Sequence, residues 1–286
     1  MYAGPFYNYI IIQEKETSYE EDSIVSCYSA VCIYISCLRG EDENKLVVGA
    51  SNVPHAVILE KAQPILEKKG IKLEIKKFQD YVLPNKALAD KEIDANYFQH
   101  IPYLDKEIQE KGYKIINAGK IHLEPMGIYS KKYKSLKDLP DGGTVIMSNN
   151  VAERGRMLAL LQKGGVIKLK DGVDVVKATV KDVVENPKNL KFKTDVEPGL
   201  SPKLYENNEG DALFINSNYA IDAKLNPTKD AIAIEGSDSP YANIIAVRKG
   251  DEKKKEIKEL VEVLHSKEIQ DFINKEYKGA VLPVSE

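Results

Sequence analysis

The stretch 81–103, YVLPNKALADKEIDANYFQHIPY, concentrates residue types that suit ligand chemistry. Four rings, Tyr81, Phe98, His100 and Tyr103, accompany the amides Asn85 and Asn96, and the segment closes on Ile101-Pro102, a dipeptide that suits the first turn of a helix. A strand end that delivers rings and amides into a helix N-terminus is where open α/β sheets hold small ligands, because the first helical turn leaves N–H groups free. The pattern predicts a pocket with an apolar wall and a few polar anchors. The same residues also fit an ordinary arrangement of core rings and turn-fixing amides.

Other chemistries find little support. There is no Ser-His-Asp arrangement, no HExxH and no Gly-rich phosphate loop, and Gly142-Gly143 and Gly164-Gly165 read as simple turns. Cys27, Cys32 and Cys37 all lie near the start of the chain, which excludes a disulfide framework for the rest. No His accompanies them, and His55, His100, His122 and His265 are scattered along the sequence, so neither a metal nor a cofactor is expected. With 41 basic and 44 acidic residues the formal charge is -3, which gives no field to recruit nucleic acid. Residues 1–44 also lack the periodicity of a DNA-reading helix pair.

The elements that must position these residues follow an alternating pattern. Residues 45–49 (KLVVG) read as a strand and 54–69 as an amphipathic helix, with Pro64 expected to kink it and Gly70 to cap it. Residues 71–78 alternate with a period of two, a second strand; 84–89 read as a short helix, 93–98 as a third strand and 102–111 as a helix. Such βα repeats predict a parallel sheet covered on both faces. Extended pieces at 114–118, 121–123 and 127–129 read as a crossover. A second alternating block then runs from 144 to 234, including a helix over 178–185, and 241–248 reads as a second crossover before helices over 251–265 and 267–275. Two βα lobes joined by two strands make a hinged clamp with the ligand in the cleft. The expected division is 45–127 plus 240–286 for the first lobe and 128–239 for the second.

Residues 1–44 differ from this body. An apolar run over 23–38 ends in Tyr34-Ile35-Ser36-Cys37, followed by a polar linker. This resembles a bacterial lipoprotein leader, in which a small residue precedes a Cys that becomes lipidated, here Cys37. Tyr34 and the acidic flank at 14–22 depart from that pattern.

From 45 to 283 the chain resembles the methionine-binding lipoproteins, the NlpA-type substrate-binding components of ATP-driven methionine importers. The resemblance is carried by VPHAVILE (53–60), DYVLPNKALAD (80–90), DANYFQHIPYL (94–104), HLEPMGIYSKKYKSLKDLPDG (122–142), ERGRMLALLQ (153–162), ATVKDVVENPKNLK (178–191) and EGSDSPYANIIAVRKGD (235–251). It implies a type II periplasmic-binding-protein fold and an aromatic cage for a thioether made of Tyr81, Phe98, His100 and Tyr103. It further implies polar anchors at Arg156, Asn216 or Asn218 two residues on, and Asn243. By its own chemistry Asn96, like Asn216 and Asn243, carries a donor and an acceptor on one side chain, which fits either end of a zwitterion or the fixing of a turn. The loop 148–153 departs from the family's commoner Asn-Asp-Pro-Thr pattern.

The implied ligand is L-methionine or a short methionine peptide, the implied partners an ABC permease and its ATPase, and the membrane contact a lipid anchor only. In that setting Arg156 would hold a carboxylate with two parallel hydrogen bonds, and Gly155 would let backbone approach closely; Arg154 is the competing guanidinium. An enzyme or a ligand-sensing domain on the same two-lobed scaffold would be the alternative functions.

Overall fold

The computed structural model describes residues 44–284, so the leader reading, Cys37 included, lies outside the described residues. The described chain is a mixed α/β structure built on two sheets. Its first part alternates as expected: β1 (Lys45–Ser51), α1 (Val57–Lys68), β2 (Lys72–Phe78), α2 (Leu83–Ala89), β3 (Ala95–His100) and α3 (Ile101–Lys111). Helix α1 buries Ile58, Leu59, Ala62 and Leu66, a single apolar stripe. Pro64 is exposed, and the helix continues through it to Lys68.

The first sheet corrects one expectation. The pieces at 114–118 and 121–123 form a single strand, β4 (Ile115–Leu123), and pair with the second crossover, here β12 (Ala242–Arg248). With β13 (Leu282–Pro283) the order is β13-β4-β12-β3-β1-β2. β1 runs parallel to β2 and β3, whereas β12 is antiparallel to both β3 and β4, so the sheet is mixed. The crossover segments complete the sheet because their exposed edges would otherwise leave backbone groups unpaired. Gly119 sits where a Cβ would come within 2.7 Å of Val261, which lets the helix Lys255–His265 lie directly on β4.

The second sheet, β11-β5-β10-β6-β9, combines β5 (Gly127–Tyr129), β6 (Thr144–Ser148), β9 (Lys191–Val196), β10 (Ala212–Ile215) and β11 (Ala233–Ile234). Helix α4 (Val151–Lys163) buries Met157, Leu158, Leu160 and Leu161 against it. The helix expected over 178–185 does not form. Thr179 and Asp182 close one 3-10 turn, and Val183–Glu185 is instead β8, paired with β7 (Lys168–Leu169). Val183 and Val184 are β-branched, and Pro187 disfavours helical backbone at Asn186, so the segment leaves the helix after its cap.

Two short links join the sheets: 124–126 between β4 and β5, and 235–241 between β11 and β12. This is the two-lobed arrangement with a cleft between the lobes.

Candidate functional site

A narrow cavity is lined by residues from both lobes and from the link 124–126 between them. Tyr81, Phe98, His100, Tyr103, Arg156, Asn216, Asn218 and Asn243 all line it. Asn96 does not. It is fully buried in an amide triangle, where its Nδ2 donates to Asn85 Oδ1 at 2.9 Å and its Oδ1 accepts from Gln99 Nε2 at 3.0 Å. Asn85 donates to Gln99 in turn, and Gln99 reaches the cavity wall. The triangle holds the β3 end against α2 and leaves Asn96 behind the wall.

The rings form one side. Phe98 and Tyr103 meet edge to face at 5.9 Å, Tyr81 lies 6.2 Å from Phe98, and all three pack with Ala152 of the opposite lobe. Their polar tips are fixed. The Tyr103 hydroxyl donates to the Tyr81 carbonyl at 2.8 Å, and the Tyr81 hydroxyl donates across the cleft to Asn218 Oδ1 at 2.7 Å. That bond separates the two candidate amides: Asn218 serves Tyr81, while Asn216, next to it at the start of the helix Ser217–Asp222, keeps its side chain clear of any such bond.

His100 caps α3: its Nδ1 accepts the Tyr103 N–H, which puts the ring proton on Nε2, facing Glu153 Oε1 at 2.5 Å. Glu153 also accepts from Arg156 Nη1 through its second oxygen at 3.2 Å. Burial alone would push its carboxyl up, but His100 and Arg156 hold it at about 2, so it is a carboxylate.

Arg156 is itself buried, and the neighbouring Glu153 and Glu235 overcome the burial penalty and raise its pKa, keeping it charged. Its Nε and Nη2 both donate to Glu235 Oε2, at 3.0 and 2.5 Å, and Nη2 also donates to the Glu124 carbonyl at 2.7 Å. The fork expected to face a ligand's carboxylate is therefore already engaged with the protein, leaving one N–H on Nη1. Tyr241 stacks on the guanidinium at 4.6 Å. Arg154, the competing guanidinium, ties the Ser148 and Thr194 carbonyls together within the second lobe. Gly155 does admit close backbone: a Cβ there would sit 1.7 Å from the Val175 carbonyl oxygen, so what approaches is the turn Val175–Lys177.

Behind the cavity the fold brings together two histidines that are far apart in sequence. β12 lies between β3 and β4 with Asn243 in register with both His100 and His122, so one row crosses the sheet. His122 Nδ1 contacts the Tyr97 hydroxyl and its Nε2 donates to Glu124 Oε1 at 2.8 Å. His55 Nε2 lies between Asn243 Oδ1 at 3.0 Å and the same Glu124 oxygen at 3.1 Å. Two flanking acceptors place the proton on that nitrogen and turn the Asn243 amide so that its NH₂ group points away from His55.

Burial pushes His55 down to about 4 and His122 to about 3, so both are neutral near pH 7, while burial pushes the Glu124 carboxyl up. His55, His122 and Glu124 are close enough together to be considered as metal ligands. The 2.8 Å spacing of His122 and Glu124 is that of a hydrogen bond, however, and His55 is hydrogen-bonded to Asn243, so that with Tyr97 behind His122 a polar chain ends on Glu124.

The sequence reading missed Glu124, Glu153, Glu235 and Tyr241. One signal was available for Glu124: it follows His122 by two residues in an extended segment, which puts both on one face. Glu235 and Tyr241 lie in the second link, where no periodicity marks them.

The sequence model of the NlpA lipoprotein family matches residues 46–285. The methionine-binding lipoprotein MetQ of Bacillus subtilis is 62% identical over 246 residues, covering 85% of this chain and 89% of that one. The D-methionine-binding lipoprotein MetQ of Escherichia coli is 40% identical over 250 residues, 87% of this chain and 92% of that one. Among solved structures, a nutrient-binding protein of Burkholderia cenocepacia bound to methionine superposes with a TM-score of 0.79 at 44% identity, covering 84% of this chain and 100% of that one.

Proposed function

The chain belongs to the NlpA lipoprotein family, and from that premise we propose that it captures methionine outside the cytoplasm and delivers it to an ABC importer. It is a substrate-binding protein, and its work is capture and release without bond chemistry. The observation that carries this reading is the convergence of a ring wall and a charged network on one cavity between two lobes.

The side chain of methionine lies against Tyr81, Phe98 and Tyr103, where polarizable sulfur gains about 0.3–1.5 kcal/mol for each ring contact. The carboxylate takes the remaining Arg156 N–H together with the amides of Asn216 and Asn243; Asn243 presents its NH₂ because His55 holds its oxygen. His100 acts here by fixing Glu153 and capping α3.

We assign the lipid anchor to Cys37, with the polar linker as tether. No helix among the described residues is long and apolar enough to cross a membrane. The two lobe surfaces around the cleft meet the permease, whose ATPase drives import.

Mass spectrometry of the small molecule that co-purifies, followed by calorimetric titration with L-methionine, D-methionine and Gly-Met, tests the reading. Saturable one-to-one binding of at least one of them is expected; no heat from all three would refute it.

A further inference from the structure

Three carboxylates surround the cavity's single guanidinium, and they are not equivalent. Glu153 is matched by His100 on one oxygen and Arg156 on the other. Glu235 is engaged by Arg156 through Oε2, which also accepts the Met126 N–H at 3.3 Å, and by Ser239 through Oε1 at 3.3 Å; its side chain is 17% exposed and so partly hydrated. Glu124 differs from both. It is buried, lines the cavity, and its hydrogen-bond donors are His122 and the Asn218 backbone N–H, with His55 Nε2 beside it at 3.1 Å. Those donors are uncharged. Arg156 is hydrogen-bonded to the Glu124 carbonyl and directs its cationic edge to Glu153 and Glu235.

A carboxylate buried without a directly paired cation is costly, and a cation arriving from the cavity relieves that cost. We propose that Glu124 is the seat for the ligand's α-ammonium, and that the His55–His122 pair holds it there as an oriented, uncharged cradle. This rests on the methionine-capture reading and deepens it. One residue then serves both ends of the amino acid: its carbonyl holds Arg156, on the carboxylate side, and its side chain takes the ammonium. Such close placement of the two charges matches a free α-amino acid, in which both groups sit on one carbon, and disfavours a dipeptide, whose terminal charges lie further apart.

The test is titration calorimetry of wild type, Glu124→Gln and Glu124→Asp with three probes: L-methionine, 4-(methylsulfanyl)butanoate, which lacks the ammonium, and Gly-Met. Wild type should prefer L-methionine to the other two by about 30-fold or more. Glu124→Gln, which keeps the shape and an acceptor for His122, should lose at least 30-fold for L-methionine while binding the desamino acid as well as before or more tightly. Glu124→Asp keeps the charge and should keep the preference for the ammonium.

Equal losses for L-methionine and the desamino acid in Glu124→Gln would mark Glu124 as merely structural and overturn the proposal, as would an undiminished preference in that variant. If Glu124→Gln fails to fold, a loss of the ammonium preference in Glu124→Asp overturns it. A wild type that binds no L-methionine sinks the capture reading itself, a result visible before any variant is made; one that binds L-methionine but shows no preference over the desamino acid sinks only the proposal about Glu124.

Discussion

The two sides of the cavity are built in different ways. The ring side comes from one stretch, with Tyr81 delivered by the bend before α2, Phe98 by β3 and Tyr103 by α3. The charged side is assembled from His55, Glu124, Glu153, Arg156, Glu235, Tyr241 and Asn243, which come from both lobes and both links. Rings packed by dispersion tolerate adjustment, because each contact is weak and many neighbours share it. A buried charge network tolerates little, since removing one partner strands the others in a low-dielectric site. The two sides should therefore respond differently to substitution.

The sharpest contrast is expected at Arg156. Arg156→Ala removes the proposed ligand contact and also leaves Glu153 and Glu235 without their cation, so methionine affinity should fall by about 2–5 kcal/mol, measured by calorimetry. An unchanged affinity would remove Arg156 from the site.

Acid should weaken the charged side next. His55 and His122 have folded-state values of about 4 and 3, below the roughly 6.5 of an unfolded chain. Once the pH drops under 6.5 the unfolded chain binds more protons, so the stability these rings contribute is complete above that value and is lost as the pH falls toward 4 and 3. Glu124, raised by burial, works in the opposite direction and offsets part of the loss. Between pH 7 and pH 5 the expected cost is roughly 1–2 kcal/mol for each histidine, read as a falling melting temperature. A flat profile over that range would contradict two neutral buried imidazoles.

The smallest effect belongs to the rings. Phe98→Leu keeps the wall apolar and should cost about 0.3–1.5 kcal/mol of methionine affinity. A loss as large as that of Arg156→Ala would erase the contrast between the two sides.

Legibility in the sequence followed the same division. The βα alternation through Lys111, the stripe of α1 and the ring motif are local patterns, and they appear where their periods place them. The failed helix at 178–185 has a local apolar pattern too, but its β-branched residues and the following Pro187 favour the short strand β8. Asn96 looked like an anchor because an amide near a strand end fits either a ligand or a turn, and only its bonds to Asn85 and Gln99 decide between them. Arg156 was marked as a carboxylate anchor only through the family resemblance, and its engagement by Glu235 was not readable, because that partner lies 79 residues away.

By itself the sequence determined the two-block architecture, the ring wall and the family resemblance, since each is written in spacing, alternation or contiguous motif. The tertiary structure decided which charges meet. It put β12 between β3 and β4, so that Asn243 joins His100 and His122 in one row, and it folded both links against Arg156, which brings Glu124 and Glu235 to the cavity. Charge pairing depends on distance in space and on the exclusion of water, and neither is encoded in the order of residues along the chain.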